Sequence, residues 1–374
     1  MVKATRPFVI IGTPGDRRVT LFQEALAGLD LPPASVIAYA DLLENCVDLD
    51  AAIPRDAIVR IESPGKDWAV NRALALRGKE RCYSLSTELD FPSLDQAGDY
   101  IPSWAWYRGF CTMLEHPQVL QLRRSDLVWM NHIPDIRLMF DKDACSKYLL
   151  KHHMTLPRSS AKSFDPNEND TIWFARYMLK ARYGSSGTGI VAVQKAERRG
   201  QIEERLHTTL ALKEDKLINT RHIRQIMGIN ALHTDVAIQH WLQCELITSE
   251  PWIPKATIPG GVFDLRIVMI AGRMRHIVVR VSKSPITNLH LLNTRGDFEE
   301  VRRRLSDAAW HRIEETCEQV AALFPNSLYM GIDLLITATW NKHYVLEVNA
   351  FGDLLPNLLH EGEDTYTAEI REIL

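Results

Sequence analysis

Several common signatures are missing from this chain, and each absence removes a class of function. Its six cysteines are scattered, with no C-x-x-C pair among Cys46, Cys82, Cys111, Cys145, Cys244 and Cys317. That pattern argues against a zinc site or a disulfide frame and for a reducing compartment. No apolar run reaches membrane-spanning length and no apolar signal segment opens the chain, so a cytoplasmic protein with no membrane association is expected. Nor is there a basic excess: 44 Lys and Arg against 47 Asp and Glu leave a net charge of −3, and no nucleic-acid partner is expected. The local runs Arg198-Arg199 and Arg302-Arg303-Arg304 fall in mixed-charge stretches and read as solvated helix faces. The turn Gly12-Thr-Pro-Gly15 lacks G-x-G-x-x-G spacing, and Tyr183–Gly189 lacks that of a Walker loop.

What remains is an ordinary globular composition, 46% apolar and 24% charged over 374 residues, long enough for two or three lobes. Phe8-Val-Ile-Ile-Gly12 is predicted as a buried strand. A helix over Arg17–Leu29 follows, with Leu21, Phe22, Ala25, Leu26 and Leu29 on one face, then strands at Ala34–Tyr39 and Ala57–Ile61. This rhythm predicts an α/β domain with a parallel sheet. Gly12 and Gly15 satisfy the steric need of a strand-to-helix turn. Glu62-Ser-Pro-Gly-Lys66 reads as a helix entry, with a substrate pocket as its alternative. The aromatic stretch Phe91–Met130, with Trp104-Ala-Trp-Tyr-Arg-Gly-Phe110 at its centre, packs a core between lobes or lines a pocket, and Arg108 is the residue there to watch for a role in a pocket.

Phe140-Asp-Lys-Asp opens a predicted helix to His153. The run Thr171–Lys180 ends in a strand and feeds the loop Tyr183-Gly-Ser-Ser-Gly-Thr-Gly189, and a second strand starts at Ile190. A glycine- and serine-rich hairpin exposes N–H groups that can cradle phosphate oxygens, with Lys180 as a point charge beside it. Arg199–Asn230 is expected to be helical and charged, and Asp235–Gln243 to be a strand. Phe263–Ile270 and His276–Val281 are predicted to pair, with Asp264 and Arg266 on one face; Arg266 and Arg280, set in apolar strands, need anionic partners. Phe298–Phe324 is expected as one long helix.

The last two apolar runs carry the most chemistry. Tyr329–Ile336 contains Asp333, and Tyr344–Ala350 contains Glu347 and Asn349, two apart and therefore on one face. Three oxygen donors converging without Cys or His suit a hard cation such as Mg²⁺, whose shell a nucleotide phosphate usually completes.

Together these segments resemble the ATP-grasp superfamily, of the RimK and D-alanine–D-alanine ligase type, over residues 140 to 357. Asp141-Lys142, Leu149 and Pro157 resemble the opening of the family's central lobe. Leu179-Lys180 with Gly184-Ser185-Ser186-Gly187 is similar to its lysine strand and glycine loop. Gln239-His-Trp241-Leu242 stands where the family's hinge contacts adenine, with Glu245 for the ribose. Asp264-Leu-Arg266, Arg280, Asn288-Leu-His290 and the Asp333…Glu347-x-Asn349 set match its C-terminal motifs. Trp106-Tyr-Arg-Gly-Phe110 is similar to a segment of one bacterial ATP-grasp group. The Asn288 loop lacks the glycine pair of RimK-like members, and residues 1–130 match no member of known substrate.

The resemblance implies an α/β chain, α+β in its C-terminal part. It would comprise a Rossmann-like domain (1–135) before the central (136–238) and C-terminal (239–374) ATP-grasp lobes. It implies an ATP-dependent carboxylate–amine ligase that proceeds through an acylphosphate. Mg²⁺, with Mn²⁺ as alternative, would sit on Asp333, Glu347 and Asn349. Lys142, Lys180 and the glycine loop would hold phosphates, and Arg280, Arg266 and Asn288 would serve catalysis. Its substrates would be small-molecule or peptide carboxylates and amines, and a homodimer would be its oligomeric form. A kinase on the same fold, or a nucleotide-binding scaffold, are the alternatives.

Overall fold

The first strand alternates its side chains between two separate cores. In β1 (Phe8–Gly12) Phe8 and Ile10 join one apolar cluster and Val9 and Ile11 another, as in a strand covered on both faces. β2 (Ser35–Ala38), β3 (Ile58–Ile61) and β4 (Val128–Trp129) complete a parallel sheet in the order β2-β1-β3-β4. The helix Arg17–Gly28, capped by Asp16, buries Val19, Phe22, Ala25 and Leu26 against it. The computed structural model describes residues 6–82, 84, 88–157, 176–185, 187–198 and 200–374. Ser186, Arg199 and the expected run 171–175 lie outside the described residues.

A second, antiparallel sheet follows: β5 (Arg176–Ala181), β6 (Ile190–Arg198), β7 (Gln201–Lys213), β8 (Lys216–Ile229) and β9 (Ile247–Pro251), in the order β8-β7-β6-β5-β9. The expected charged helix over 199–230 is therefore a long hairpin. Its burial has a period of two: Glu204, Leu206 and Thr208 face inward while Glu203 and Arg205 are exposed. Conversely, Asp235–Gln243 is no strand. Asp235 caps a helix over Val236–Cys244, accepting from Ile238 N, and that helix buries Ala237, Ile238, Trp241 and Cys244. A short apolar run alone did not separate these two states.

The third sheet is antiparallel: β10 (Thr257–Ile258), β11 (Gly261–Ile270), β12 (Arg273–Ser282), β13 (Thr294–Gly296), β14 (Tyr329–Ile336) and β15 (His343–Asn349), with β13-β12-β11-β14-β15 in sequence and β10 on β11. Along β11, Phe263, Leu265 and Ile267 pack on helices, Asp264 and Arg266 line a cleft, and Val268 and Ile270 join the cluster of Phe8 and Phe22. The expected single helix 298–324 is two, Phe298–Arg304 and Asp307–Ala322. Leu305 is extended between them, and Ser306 caps the second. The expected helix from Phe140 is likewise Lys142–Lys151, capped by Asp141, and a separate helix Ile133–Phe140 precedes it.

The expected divisions at 135/136 and 238/239 fall within the helices Ile133–Phe140 and Val236–Cys244. Sheet membership changes instead between β4 and β5, and between β9 and β10, because β9 returns to pair with β5. Among the described residues, no helix is long and apolar enough to cross a membrane.

Candidate active site

The three sheets meet around one cleft of about 870 Å³. Its floor is the face of β11, β12, β14 and β15 that carries Asp264, Arg266, Arg280, Asp333, Glu347 and Asn349. Register explains why they converge. Arg266 pairs with Asp333, Asp264 with Arg280, Asp333 with Glu347, and Gly331 with Asn349. A bulge adds one residue to β15, since Asp333 pairs with Glu347 but Leu334 with Val345. Both Leu346 and Glu347 therefore line the cleft, the re-aiming that bulges accomplish.

Charge compensation here is tight. Arg266 donates to Asp333 Oδ1 at 2.5 Å and Oδ2 at 3.1 Å, and Arg280 Nη2 lies 3.0 Å from Oδ2. Burial raises the Asp333 pKa, but these two guanidiniums outweigh it and hold the carboxyl below the usual carboxylate range. Arg280 Nε donates to Asp264 Oδ1 at 2.7 Å, while Lys255 and Thr287 hold Asp264 Oδ2. Asn349, with its amide turned to satisfy both neighbours, donates to Glu347 Oε1 at 3.1 Å and accepts from Arg266 Nη2 at 3.3 Å.

Above this floor stand two lysines. Lys180 on β5 is paired with Glu250 on β9; burial lowers its pKa, and Glu250, with Glu347 and Asp333, more than restores the charged form. Lys142, at the start of its helix, lies 3.3 Å from Glu347 Oε1 and donates to the Gly184 carbonyl. Gly184, Ser185 and Gly187 border the cleft in a turn closed by Thr188 N to Ser185 O at 2.9 Å. Gly187 has a φ of +77°, and a Cβ there would come 3.0 Å from Leu291 Cδ1, so the loop rests directly on the turn Leu289–Leu291. Asn288 caps that turn, accepting from His290 N at 2.9 Å.

Among the described residues no group of three His, Cys, Asp or Glu side chains could hold a metal ion. A cation here would thus draw on Asp333, Glu347 and the Asn349 amide together, an all-oxygen set that suits Mg²⁺.

Comparison with known proteins agrees with this layout. The family described as YheC/D-like ATP-grasp matches residues 136–353, more than half of the chain. The chain belongs to that family. Its fold is similar to that of the ATP-grasp ligase PsnB complexed with minimal precursor, at 14% identity over 98% of each chain and a TM-score of 0.54. PsnB with a phosphomimetic precursor variant, Mg and ADP gives 14% over 100% of each chain and 0.52. Carboxyaminoimidazole ribonucleotide synthase from Aspergillus clavatus complexed with ATP gives 12% over 98% of this chain and 76% of that one, at 0.50. Among curated proteins nothing matches.

Four residues expected at the hinge of this ATP-grasp chain do not line the cleft. Trp241 is fully buried and donates to Tyr100 Oη at 2.9 Å. Gln239 donates to the Leu232 carbonyl, and Leu242 packs against the core of the second sheet. Glu245 is buried and accepts from Tyr100 Oη, Ser103 N, Ser103 Oγ and Leu246 N, so its oxygens are spent inside the protein. The segment that does line the cleft is Glu250-Pro-Trp-Ile253, at and beyond the end of β9, where β9 runs beside Lys180. Sequence reasoning also missed Lys255 and Arg18, both in the cleft wall. Of the aromatic stretch, Trp104 is core, Trp106 reaches the cleft, and Tyr107 stacks on Tyr183 at 4.2 Å beside the glycine loop; Arg108 is exposed.

Proposed function

We propose that this chain is an ATP-dependent carboxylate–amine ligase. One observation carries the reading: the cations Lys142, Arg266 and Arg280 are neutralised by Glu347 and Asp333, two of the oxygen donors expected to hold a metal. Such a site is self-compensated when empty of charge. A metal–triphosphate supplies both replacements at once, a cation for the acids and phosphate oxygens for the lysine and arginines. Asp333, Glu347 and Asn349 would hold Mg²⁺, and the ion, when bound, neutralises the charge of the β- and γ-phosphates. Lys142 and Lys180 would position the phosphates. Trp252 and its neighbours would flank the base.

The substrate carboxylate oxygen attacks the γ-phosphorus, the bond to the β,γ-bridging oxygen breaks, and ADP leaves. Arg280 and Arg266 stabilise charge on the equatorial oxygens. An amine then attacks the acyl carbon, the C–O bond to phosphate breaks, and the amine loses a proton. Water in the cleft would hydrolyse the acylphosphate, and the loop seated on Leu291 is placed to exclude it.

The test is ADP release from Mg·ATP with pooled carboxylic acids and peptides, with and without amines, and with hydroxylamine as a trap. Hydroxamate formation that depends on the acid and disappears in Glu347→Ala supports the ligase. A stable phosphorylated acceptor that ignores hydroxylamine would establish a kinase in its place.

A further inference from the structure

The cations of the cleft fall into two sets. Lys142, Lys180, Lys255, Arg266 and Arg280 each lie against an acid of the same cleft. Arg17, Lys66 and Arg295 also line it, yet their side chains make no hydrogen bond or ion pair among the described residues, and all three are exposed. Between these sets stands Arg18. Its Nη1 lies 2.8 Å from Asp353 Oδ1 and its Nη2 donates to the Phe351 carbonyl at 2.6 Å, which fixes the guanidinium at the cleft wall. Asp353 is itself held by the buried Arg60, at 2.5 Å.

Topology puts these charges where a ligand is expected. Arg17 and Arg18 follow the turn after β1, and Lys66 closes the turn after β3. β1 and β3 are adjacent, and the chain leaves β1 toward β2 on its other side. The carboxyl ends of strands at such a switch point form a ligand crevice in parallel α/β sheets. Thr13 Oγ1 donates to the Pro64 carbonyl at 3.0 Å and ties the two turns together. The only acid of the cleft lining on these turns is Asp16, and it is occupied in capping its helix.

The facing wall repeats the pattern. Arg295 of β13 stands directly opposite Arg280 of β12, an unfavourable like-charge pair. Asp264 and Asp333 relieve Arg280, and Arg295 is left without an anion among the described residues. His290, between the two walls and still solvent-exposed, is pushed down to about 4 by partial desolvation and then by the charges of Lys66, Arg266, Arg18 and Arg280, so positive potential converges on this end of the cleft.

We propose that the acid activated in this cleft carries a second anionic group, a carboxylate or a phosphate. Arg18, Lys66 and Arg17 hold that group at the strand-end turns, with Arg295 on the facing wall. The inference rests on the ligase reading for the fate of the acid, and adds its charge class. A monoacid spends its one charge at the reacting centre and leaves Arg17, Lys66 and Arg295 unmatched; a second anion recovers charge-assisted hydrogen bonds there.

Binding measured without turnover tests this separately from the ligase chemistry. Titration calorimetry in excess Mg·AMPPNP would compare butyrate with succinate, and glycerate with 3-phosphoglycerate. The doubly charged member of each pair is expected to bind about tenfold tighter, or more. An Arg17→Ala, Lys66→Ala double variant is expected to lose that margin while binding Mg·AMPPNP as the unaltered protein does. A larger margin for 3-phosphoglycerate assigns the second group as phosphate, and one for succinate as carboxylate. Equal binding within the pairs, including no binding by any of the four, or a margin that survives the double variant, overturns the proposal. Failure of hydroxamate formation would instead count against the ligase reading and leave this measurement standing.

Discussion

Arg266 of β11 and Asp333 of β14 occupy paired positions on neighbouring strands, and two N–H donors of the one grip both carboxylate oxygens of the other. Arg280 approaches the same carboxylate from β12. One acid thus compensates two arginines and is also the oxygen donor that β14 offers to a cation.

Asp333→Asn keeps the shape of that acid and removes its charge. Arg266 loses its acidic partner, and breaking such a pair costs about 3–5 kcal/mol. The expected outcome is a fall of that order in unfolding free energy, together with a loss of acid-dependent ADP release of roughly 100-fold or more. Denaturant titration and a coupled ADP assay read the two effects. Full activity in this variant would remove Asp333 from the reaction.

The same pair fixes a pH dependence. Asp333 has a folded pKa below its ordinary value of 3.8, so its contribution to stability is present above that value and is lost as pH falls through the folded value. The stability gap between the unaltered protein and Asp333→Asn is therefore expected to be level between pH 7 and pH 5, on the order of the pair's full worth, and to close only below about pH 4. A gap that already shrinks between pH 7 and pH 5 contradicts the assignment.

Leu291→Ala removes the side chain on which the glycine loop rests. If that contact keeps water from the acylphosphate, the loop will close less completely. ADP release is then expected to continue while amide product per ADP falls several-fold. Measuring both products in one reaction decides it: a fall in ADP and amide together would mean that the loop acts on phosphate binding alone.

Trp252→Ala tests the placement of the base. The segment Glu250–Ile253 lines the cleft next to Lys180, whereas Gln239 is turned toward Leu232. A base stacked on an aromatic ring is worth about 1–3 kcal/mol, so the KM for ATP is expected to rise by roughly tenfold in Trp252→Ala. Gln239→Ala should leave it unchanged. The reverse result would return the hinge to residues 239–242.

What the sequence disclosed follows from how local each signal is. β14 and β15 were legible because each is an apolar run interrupted by a conspicuous acid, and their partnership needed only a turn between them. Arg266 and Arg280 were legible as charges that demanded anions, and Asp333 and Asp264 supply them. β7 and β8 were not legible, because their solvent-facing charges imitate a helix and the inward alternation of Glu204, Leu206 and Thr208 is partly polar. The hinge was misplaced because β9 is recognised by pairing with β5, nearly seventy residues earlier, and not by composition. Arg18 was hidden for the same reason: Asp353, its partner, is 335 residues away.

Glu369 offers the last test, on the contact between the helix Thr365–Ile373 and the first sheet. Arg60 is fully buried, with Glu62, Asp353 and Glu369 on its three nitrogens and the rings of Phe22, Tyr329 and Tyr366 around it at 4.5 to 5.0 Å. Three acids share two arginines, and Glu369 Oε1 has no hydrogen-bond partner among the described residues. Burial first, then the like charges of Asp353 and Glu62, push the Glu369 pKa well above its ordinary 4.5 despite Arg60. A raised folded pKa favours folding below the ordinary value, and that advantage is lost as pH rises through the folded value. Glu369→Gln keeps an oxygen for Arg60 and does not titrate. Its stability relative to the unaltered protein is therefore expected to improve steadily from pH 5 to pH 8, ending level with it or above it. Urea unfolding at both pH values measures this. A relative stability that stays flat or worsens with pH would mean that Glu369 is ionised throughout and that Arg60 alone balances it.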